Sequence, residues 1–243
     1  MILPEFLFRW CPRRVALFGR TRNPNAKDHT KPCDAQLIIN SGVGTAVIVC
    51  KSRLLDVIND LRVTAKNNLS LIAESITMLK NAGLRVIIDL EHAIDAFKGV
   101  YSYGKKLPEE DVLKSQQHVT DIIELAGNAG ADCIVLCDTN GGASPLEIKS
   151  IFRYICSEFP TLRFGFHGHN DLGLSVQNSI TALRCGACHI QGTVGGIGER
   201  VGNTDWITLV VMTYQHHKDI NIIPEEAFDR LTQLAQAVSS CFG

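Results

Sequence analysis

The sequence has no apolar run that approaches the roughly 18 residues needed for a membrane-spanning helix, so we predict no membrane segment. It also lacks a large excess of charge of either sign, because its 24 Lys and Arg residues nearly balance its 25 Asp and Glu residues, for a formal net charge of −1. That balance argues against a nucleic-acid-binding surface. No Gly/Ser linker, shift in composition or low-complexity tract divides the 243 residues. We therefore predict one soluble globular domain over residues 1–243.

The nine cysteines are odd in number and scattered, which does not suit a disulfide scaffold. Cys50, Cys133 and Cys137 lie inside apolar runs, where a free thiol behaves as a small hydrophobic group. This usage indicates a reducing compartment and a cytoplasmic protein. The C-x-x-C spacing of "CGAC", residues 185–188, has no second pair, so packing is favoured over zinc or redox chemistry. The Arg-rich start has the composition of a transit peptide, but the strand-like "VALFG" follows too soon for one.

Short apolar runs alternate with amphipathic segments along the chain, which predicts an α/β fold of parallel strands covered by helices. Six strands are predicted, at Val15–Thr21, Thr45–Lys51, Arg85–Leu90, Cys133–Asp138, Arg163–His169 and His189–Val194. Seven helices are predicted, at Asp34–Asn40, Asn67–Asn81, Pro108–Ala129, Ser144–Glu158, Leu172–Arg184, Thr204–His216 and Pro224–Val238.

Polar residues gather at the C-terminal ends of nearly all these strands. A (β/α)8 TIM barrel brings every such end to one mouth, where catalytic groups lie. An open sheet uses mainly its topological switch point. The pattern therefore favours the barrel, although a complete barrel has eight strands and six are predicted.

The stretch "GFHGHND", residues 165–171, carries two histidines. His167 and His169 are two apart on a predicted strand, so their side chains share a face. Imidazoles in this arrangement can bind one divalent ion. Ordinary hydrogen bonding at a solvated strand end is the alternative.

Three other stretches have both a functional and a structural interpretation. In "CDTNGG", residues 137–142, polar groups leave a strand, but the same residues suit a βα turn. "GTVGGIGERVGN", residues 192–203, holds five glycines and could bind phosphate or form a mobile lid. It matches neither the P-loop nor the dinucleotide fingerprint, and Glu199 and Arg200 could form a structural ion pair. In "GRTR", Arg20 and Arg22 share a face that suits a substrate carboxylate, whereas a surface salt bridge is the alternative.

The long stretch "HGHNDLGLSVQNSITALRCGACHIQGTVGGIGERVGN" resembles the signature of the 2-isopropylmalate, homocitrate and citramalate synthase group. These metal-dependent Claisen-condensing (β/α)8 barrels are grouped with hydroxymethylglutaryl-CoA lyase. The fixed spacing from H-x-H-N-D to G-E-R-x-G-N makes the match specific. "ALFGRTR", "DLEHAIDAFKG" and "LCDTNGGASPLEI" are most similar to the (R)-citramalate synthase branch, and the resemblance runs from about Val15 to about Leu209.

The resemblance implies an acyltransferase that condenses acetyl-CoA with a 2-oxo acid, pyruvate being favoured, with Mg, Mn or Zn as the metal. It also implies a role in isoleucine and leucine biosynthesis, and a homodimer. The implied residues are metal ligands (His167, His169, Asn203), catalytic groups (Glu91, Thr139, Glu199), substrate contacts (Arg22, Glu91, Thr139, Asn170) and a lid over the acyl-CoA (Gly195, Gly196, Gly198, Arg200).

The family motif D-x-T-L-R-D-G, whose aspartate is the third metal ligand, is absent from this sequence. The next family strand is absent too, so we expect an incomplete barrel with strands 3 to 8 and without the first two βα units. No C-terminal regulatory domain is expected. We expect the chain alone to bind metal poorly and to have little activity. Alternatives are aldol cleavage of the hydroxymethylglutaryl-CoA lyase type, or a non-catalytic remnant that oligomerises or binds a partner; a lyase would place a cysteine in residues 192–203, which have none.

Overall fold

The computed structural model describes residues 15–22, 24, 33–102 and 105–241. The Arg-rich residues 1–14, on which the targeting prediction depends, lie outside them. The chain forms two compact units, one of Met1–Leu136 with Thr161–Arg163, the other of Cys137–Pro160 with Phe164–Gly243. Strands and helices alternate in both, which confirms the predicted α/β class.

The first unit is built on parallel strands. These are β1 (Ala16–Arg20), β2 (Thr45–Lys51), β3 (Arg85–Glu91) and β6 (Cys133–Asp138), whose last two residues belong to the second unit. They pair in the order β1-β2-β3-β6. A small antiparallel hairpin joins β4 (Val100–Ser102) to β5 (Lys105–Lys106). The helices are α1 (Asp34–Asn40), α2 (Leu54–Asn59), α3 (Ala65–Asn81), α4 (Ala93–Lys98) and α5 (Glu109–Asn128).

Burial of the strands in the first unit follows their composition. All six residues of β6, "CIVLCD", are buried, and so is the centre of β3, as expected for parallel strands covered on both faces. The prediction of two buried faces is wrong for β1, where Phe18 is 67% exposed. Helix α3 buries Ile72, Ile76 and Leu79, which lie on one face at helical spacing.

The second unit continues the alternation. Its elements are α6 (Pro145–Glu158), β7 (Phe164–Gly168), α7 (Ser175–Arg184), β8 (His189–Gln191), a 3-10 turn (Val194–Gly196), α8 (Trp206–His216), a 3-10 helix (Glu225–Arg230) and α9 (Leu231–Ser239). Strands β7 and β8 pair in parallel, with Gly165 opposite His189. The polar ends of both strands therefore lead into the loops that hold the candidate site.

Several predicted boundaries are corrected. Strand β8 ends at Gln191, three residues early, and β7 ends at Gly168, because His169 instead forms an isolated antiparallel bridge with Asn203. The single C-terminal helix predicted over Pro224–Val238 is a 3-10 helix followed by α9. Helices α2 and α4 and the β4-β5 hairpin were not predicted.

A complete (β/α)8 barrel has eight βα repeats, and the sequence predicted six. The described residues contain six strands of the alternating βα pattern, as predicted. The absence of the first two βα units and the single-domain organisation stay predictions. Within the described part of the chain, no helix is both long and apolar enough to cross a membrane.

Candidate active site

The two histidines of "GFHGHND" converge at the C-terminal end of β7. The Nε2 atoms of His167 and His169 lie 3.4 Å apart, and the rings meet edge to face. The backbone N–H of His169 donates to the carbonyl of Asp138, and the bridge to Asn203 holds its other side. The second unit thus brings together the three residues predicted as metal ligands.

The electrostatics of this pair suit metal binding. Burial, and next the neighbouring His169, lower the pKa of His167 to about 4, although Gln191 and Glu199 oppose the shift. A neutral imidazole at pH 7 offers a lone pair to a cation. Among the described residues, the buried Nδ1 of His167 and the buried Oδ1 of Asn203 have no hydrogen-bond partner.

The spacing provides a further test of fit. Two nitrogen donors on a tetrahedral ion with bonds of about 2.1 Å stand about 3.4 Å apart, which matches the Nε2 separation. The described residues contain no group of three or more His, Cys, Asp or Glu arranged to hold a metal. The donors that fit a divalent ion are therefore two imidazoles and an amide oxygen.

The Gly-rich loop is folded around Asn203. The backbone N–H of Asn203 donates to the carbonyl of Gly196 at 2.9 Å. A Cβ on Gly198 would stand 2.7 Å from the Asn203 Cγ. Gly202 has a φ of +108°, and a Cβ there would collide with the Gly196 carbonyl oxygen. These glycines let the loop backbone approach the asparagine closely.

The structural ion pair between Glu199 and Arg200, one of the alternatives for this loop, is not the main contact of Arg200. Its Nη1 is 3.8 Å from Glu199 Oε2, and the Glu199 side chain is 81% exposed, so that pair is weak. The main partner is Asp171, to which Arg200 donates twice at 2.8 Å. Arg200 also donates to the carbonyl of Thr139 at 2.8 Å.

Asp138 and Asn170 are occupied by local structure. The buried carboxylate of Asp138 accepts from the backbone N–H groups of Gly142 and Ala143, which favours the turn interpretation of "CDTNGG". The Oδ1 of Asn170 accepts from the N–H and hydroxyl of Ser175, in the first turn of α7. A substrate contact by Asn170 stays a prediction that this bonding does not favour.

The first unit has a cleft of about 660 Å³. Arg22 and Glu91, which the resemblance implied as substrate-binding residues, are part of its lining. Lys51 Nζ donates to Glu91 Oε1 at 3.0 Å. Ser52 donates to the backbone carbonyl of Glu91, and the Asn68 amide donates to that of Lys51. Glu91 is thus positioned at the end of β3 by a side chain and a hydroxyl from the end of β2.

Arg20 and Arg22 do not form a shared carboxylate site. Asp34 accepts from the backbone N–H of Arg20 at 2.8 Å and lies 3.8 Å from its Nε. Arg22 Nη1 lies 3.7 Å from Glu74, with both side chains more than half exposed. Strand β1 ends at Arg20, so the alternation that would place both on one face does not extend to Arg22.

Three site residues were missed by the sequence reasoning. Lys51 and Asp171 are among the polar residues at the strand ends that favoured the barrel, but neither was assigned a role of its own. Asn68 lies on the buried side of α3, and nothing in its sequence context distinguishes it from a surface asparagine.

Comparison with known proteins places the chain among characterised relatives. It is 34% identical to the (R)-citramalate synthase of Aquifex aeolicus over 93% of this chain and 40% of that protein. It is 37% identical to the (R)-citramalate synthase of Sulfolobus acidocaldarius over 81% of this chain and 34% of that protein. The chain therefore spans about two fifths or less of the length of these relatives.

The fold is similar to that of hydroxymethylglutaryl-CoA lyase from Pseudomonas aeruginosa, with a TM-score of 0.70 at 15% identity. That match covers 94% of this chain and 70% of the lyase. The profile of the HMGL-like family matches residues 29–238. On the sequence match, and with the His-x-His and Gly-rich elements in place, the chain belongs to the HMGL-like family.

Proposed function

We propose that this chain takes part in a metal-dependent condensation of acetyl-CoA with a 2-oxo acid, and that pyruvate is the acid. The observation that carries the proposal is the pair of Nε2 atoms of His167 and His169, 3.4 Å apart beside Asn203. The similarity to (R)-citramalate synthases supports pyruvate. The product of that condensation would be citramalate, after hydrolysis of the thioester to release CoA.

His167, His169 and Asn203 would hold the divalent ion, which is Mg, Mn or Zn. When bound, such an ion polarises the carbonyl of a 2-oxo acid as a Lewis acid. The depressed pKa of His167 keeps its imidazole neutral near pH 7, so no proton has to leave before the nitrogen binds. Arg200 and Asp171 hold the Gly-rich loop in place beside these donors.

The remaining proposed catalytic residues are Glu91, Thr139 and Glu199. Removing a proton from the acetyl methyl group requires a placed base and electrostatic support. Lys51 orients the Glu91 carboxylate through Oε1, and Arg22 lines the same cleft as a cation for a carboxylate. Gly195, Gly196 and Gly198 supply the freedom expected of a loop that covers acyl-CoA.

The Gly-rich loop favours condensation over lyase-type cleavage. A lyase of this group would be expected to carry a cysteine in this loop, and residues 192–203 contain none. The fold similarity to a lyase does not decide between the two, because one fold supports both reactions.

The first test is linkage between metal and substrate. Because the sequence contains no D-x-T-L-R-D-G aspartate, we expect weak Mn²⁺ binding and slow turnover by this chain alone. Pyruvate should nevertheless tighten Mn²⁺ binding several-fold, measured by electron paramagnetic resonance of free Mn²⁺, and acetate should not. Equal effects of pyruvate and acetate would contradict the proposal.

The second test is product formation. With acetyl-CoA, pyruvate and Mn²⁺, mass spectrometry should detect citramalate, and His169→Ala should abolish it. Cleavage of hydroxymethylglutaryl-CoA faster than condensation would overturn the assignment in favour of a lyase.

A further inference from the structure

One side chain joins three loops of the second unit. Arg200 Nε donates to Asp171 Oδ1, and Arg200 Nη2 donates to Asp171 Oδ2 and to the Thr139 carbonyl, each at 2.8 Å. A planar guanidinium that meets a carboxylate through two parallel bonds is geometrically specific. The Asp171 side chain is only 10% exposed, so the contact is partly shielded from water. Arg200 therefore contacts the loops that follow β6 and β7 from its own position in the loop that follows β8.

The backbone at Arg200 is in a conformation that it would not adopt without support. Its φ is +56°, in the left-handed region that disfavours residues with a Cβ. Such a conformation persists only where surrounding contacts determine it. Here those contacts include the two bonds to Asp171 and the bond to Thr139.

The neighbouring loop leaves little room for Asp171 to move. A Cβ on Gly141 would stand 2.5 Å from Asp171 Oδ2 and 2.8 Å from its backbone nitrogen. The carboxylate is thus pressed against the turn that follows β6, which fixes the acceptor side of the clamp.

The clamp lies three residues before Asn203. Between them, Gly202 donates its N–H to the Glu199 carbonyl, and the Gly202 carbonyl accepts from the N–H of Asn170. The Oδ1 of Asn203 has no hydrogen-bond partner among the described residues, so hydrogen bonds to that atom do not orient it. Its placement depends on the backbone of the loop, which Arg200 holds together with the Asn203 bridge to His169 and the Asn203 N–H bond to Gly196.

We infer that Arg200 is a positioning residue, whose bidentate clamp on Asp171 holds the Gly-rich loop in place and keeps Asn203 beside the proposed metal ligands His167 and His169. The consequence at the metal rests on the proposed function, but the clamp itself does not. Arg200 touches neither reacting atoms nor metal in this role. It acts through Asn203.

The test uses Arg200→Asn, because asparagine is well tolerated in the left-handed region and lacks the guanidinium fork. Asp171→Asn removes the charge from the other side. Arg184→Asn is the matched control, since Arg184 is an exposed arginine of the same unit that lies 3.9 Å from Asp219. Amide hydrogen exchange of residues 195–203 is measured by mass spectrometry without metal, and Mn²⁺ affinity is measured separately.

We expect Arg200→Asn to speed exchange in the loop at least tenfold and to weaken Mn²⁺ binding by roughly tenfold, the lower end of the loss seen when support for a ligand is removed. The double variant should lose no more than the more severe single variant, because both remove one interaction. Arg184→Asn should change neither quantity.

Unchanged exchange in Arg200→Asn, or additive losses in the double variant, would overturn the clamp. Faster exchange with wild-type Mn²⁺ affinity would overturn the positioning role. If the unaltered protein binds no Mn²⁺, the exchange measurement still decides the clamp, and the proposed function fails separately.

Discussion

Arg53 and Asp56 form a buried ion pair, with side chains only 4% and 6% exposed. Arg53 donates to both carboxylate oxygens, at 2.7 and 2.9 Å. Its Nη1 donates to the carbonyls of Val100 and Tyr101, and the Tyr101 ring lies 5.1 Å from the guanidinium carbon. The pair thereby fastens the β4 strand of the hairpin to the start of α2.

Removing one partner should be costly because the other charge stays buried. We expect Arg53→Met to lower the free energy of unfolding by roughly 3–5 kcal/mol. Lys114→Met is the control, since Lys114 is an exposed residue that pairs with the exposed Glu110 and Asp111, and the substitution should cost at most about 1 kcal/mol. Urea unfolding of both variants gives the comparison. Equal losses would contradict the importance of burial.

Individual site residues differ in how far the sequence could predict them. Strand alternation predicted that His167 and His169 share a face, and their rings do meet, although β7 ends at Gly168 and His169 is held by its bridge to Asn203. The clamp between Arg200 and Asp171 joins residues 29 apart in the sequence, and it depends on how two loops fold. The bonding of Asn170 to α7 was also not predicted, because its acceptor geometry is set only once the loop is formed.

Helix α6 begins with a complete capping box. Ser144 accepts from the Glu147 N–H, and the Glu147 carboxylate accepts from the Ser144 N–H. Two N–H groups of the first turn are therefore satisfied, and Pro145 at the next position needs no partner for its nitrogen. The cap sets the start of the helix that follows the "CDTNGG" turn.

Loss of this cap should destabilise the protein measurably. We expect Ser144→Ala to lower the free energy of unfolding by about 1 kcal/mol, because the cap hydrogen bonds are lost. Ser150→Ala, at an exposed position inside the same helix, should be neutral or slightly stabilising. Thermal unfolding monitored by circular dichroism compares the two. A neutral Ser144→Ala would show that the cap does not contribute.

Asp132 directly precedes β6 and accepts hydrogen bonds from Lys80 in α3 and from the backbone of Val86 in β3. Burial raises the pKa of its carboxyl, but the Lys80 and Val86 hydrogen bonds, each at 2.7 Å, together with the charges of Lys80 and Arg85, lower the pKa overall. A carboxyl with a lower pKa in the folded state stabilises the protein above its unfolded pKa, and this contribution is lost as the pH falls through the folded pKa.

The expected consequence is a specific acid sensitivity. Asp132→Asn should reduce stability by roughly 1 kcal/mol at pH 7. The difference from the unaltered protein should shrink as the pH falls below the ordinary range of an aspartate. Unfolding free energies from pH 7 down to pH 3 test this. A constant difference across that range would contradict the linkage.

Among the elements, strands β3 and β6 could be predicted because a short run of Val, Ile and Leu is typical of a strand buried on both faces, and both strands are largely buried. Helices α2 and α4 could not, since each has six residues and too few turns for a helical period to be read. Exposure of β1 was missed because its apolar sequence does not reveal which surfaces cover it.

At the scale of the whole molecule, the described cysteines form no disulfide bonds and differ in solvent exposure. Cys50, Cys133 and Cys137 are buried, whereas Cys188 and Cys241 are exposed. Burial, followed by Asp89 and Glu91, raises the pKa of the Cys50 thiol far above its usual range. The reactive thiolate is therefore suppressed at Cys50 in the folded state.

Thiol labelling of the folded protein should follow this order. N-Ethylmaleimide should modify Cys188 and Cys241 within minutes and the three buried cysteines only after unfolding, as shown by peptide mass spectrometry. Early labelling of Cys133 or Cys137 would show that the β6 strand opens in the native protein.

The family could be predicted from the whole sequence because the spacing from the histidines to "GERVGN" is long and specific. The division into two compact units could not, since no linker or change in composition marks it. The first unit also includes the short segment Thr161–Arg163, which interrupts the second unit in the sequence. No local feature of the sequence marks that segment.

The most direct measurement is calorimetric binding of Mn²⁺ to the double variant His167→Ala and His169→Ala. His216→Ala, at an exposed position at the end of α8, is the control. Because both converging nitrogens are removed, we expect the double variant to lose at least tenfold in affinity, while the control binds as the unaltered protein does. Unchanged Mn²⁺ binding in the double variant would contradict a metal site at the end of β7.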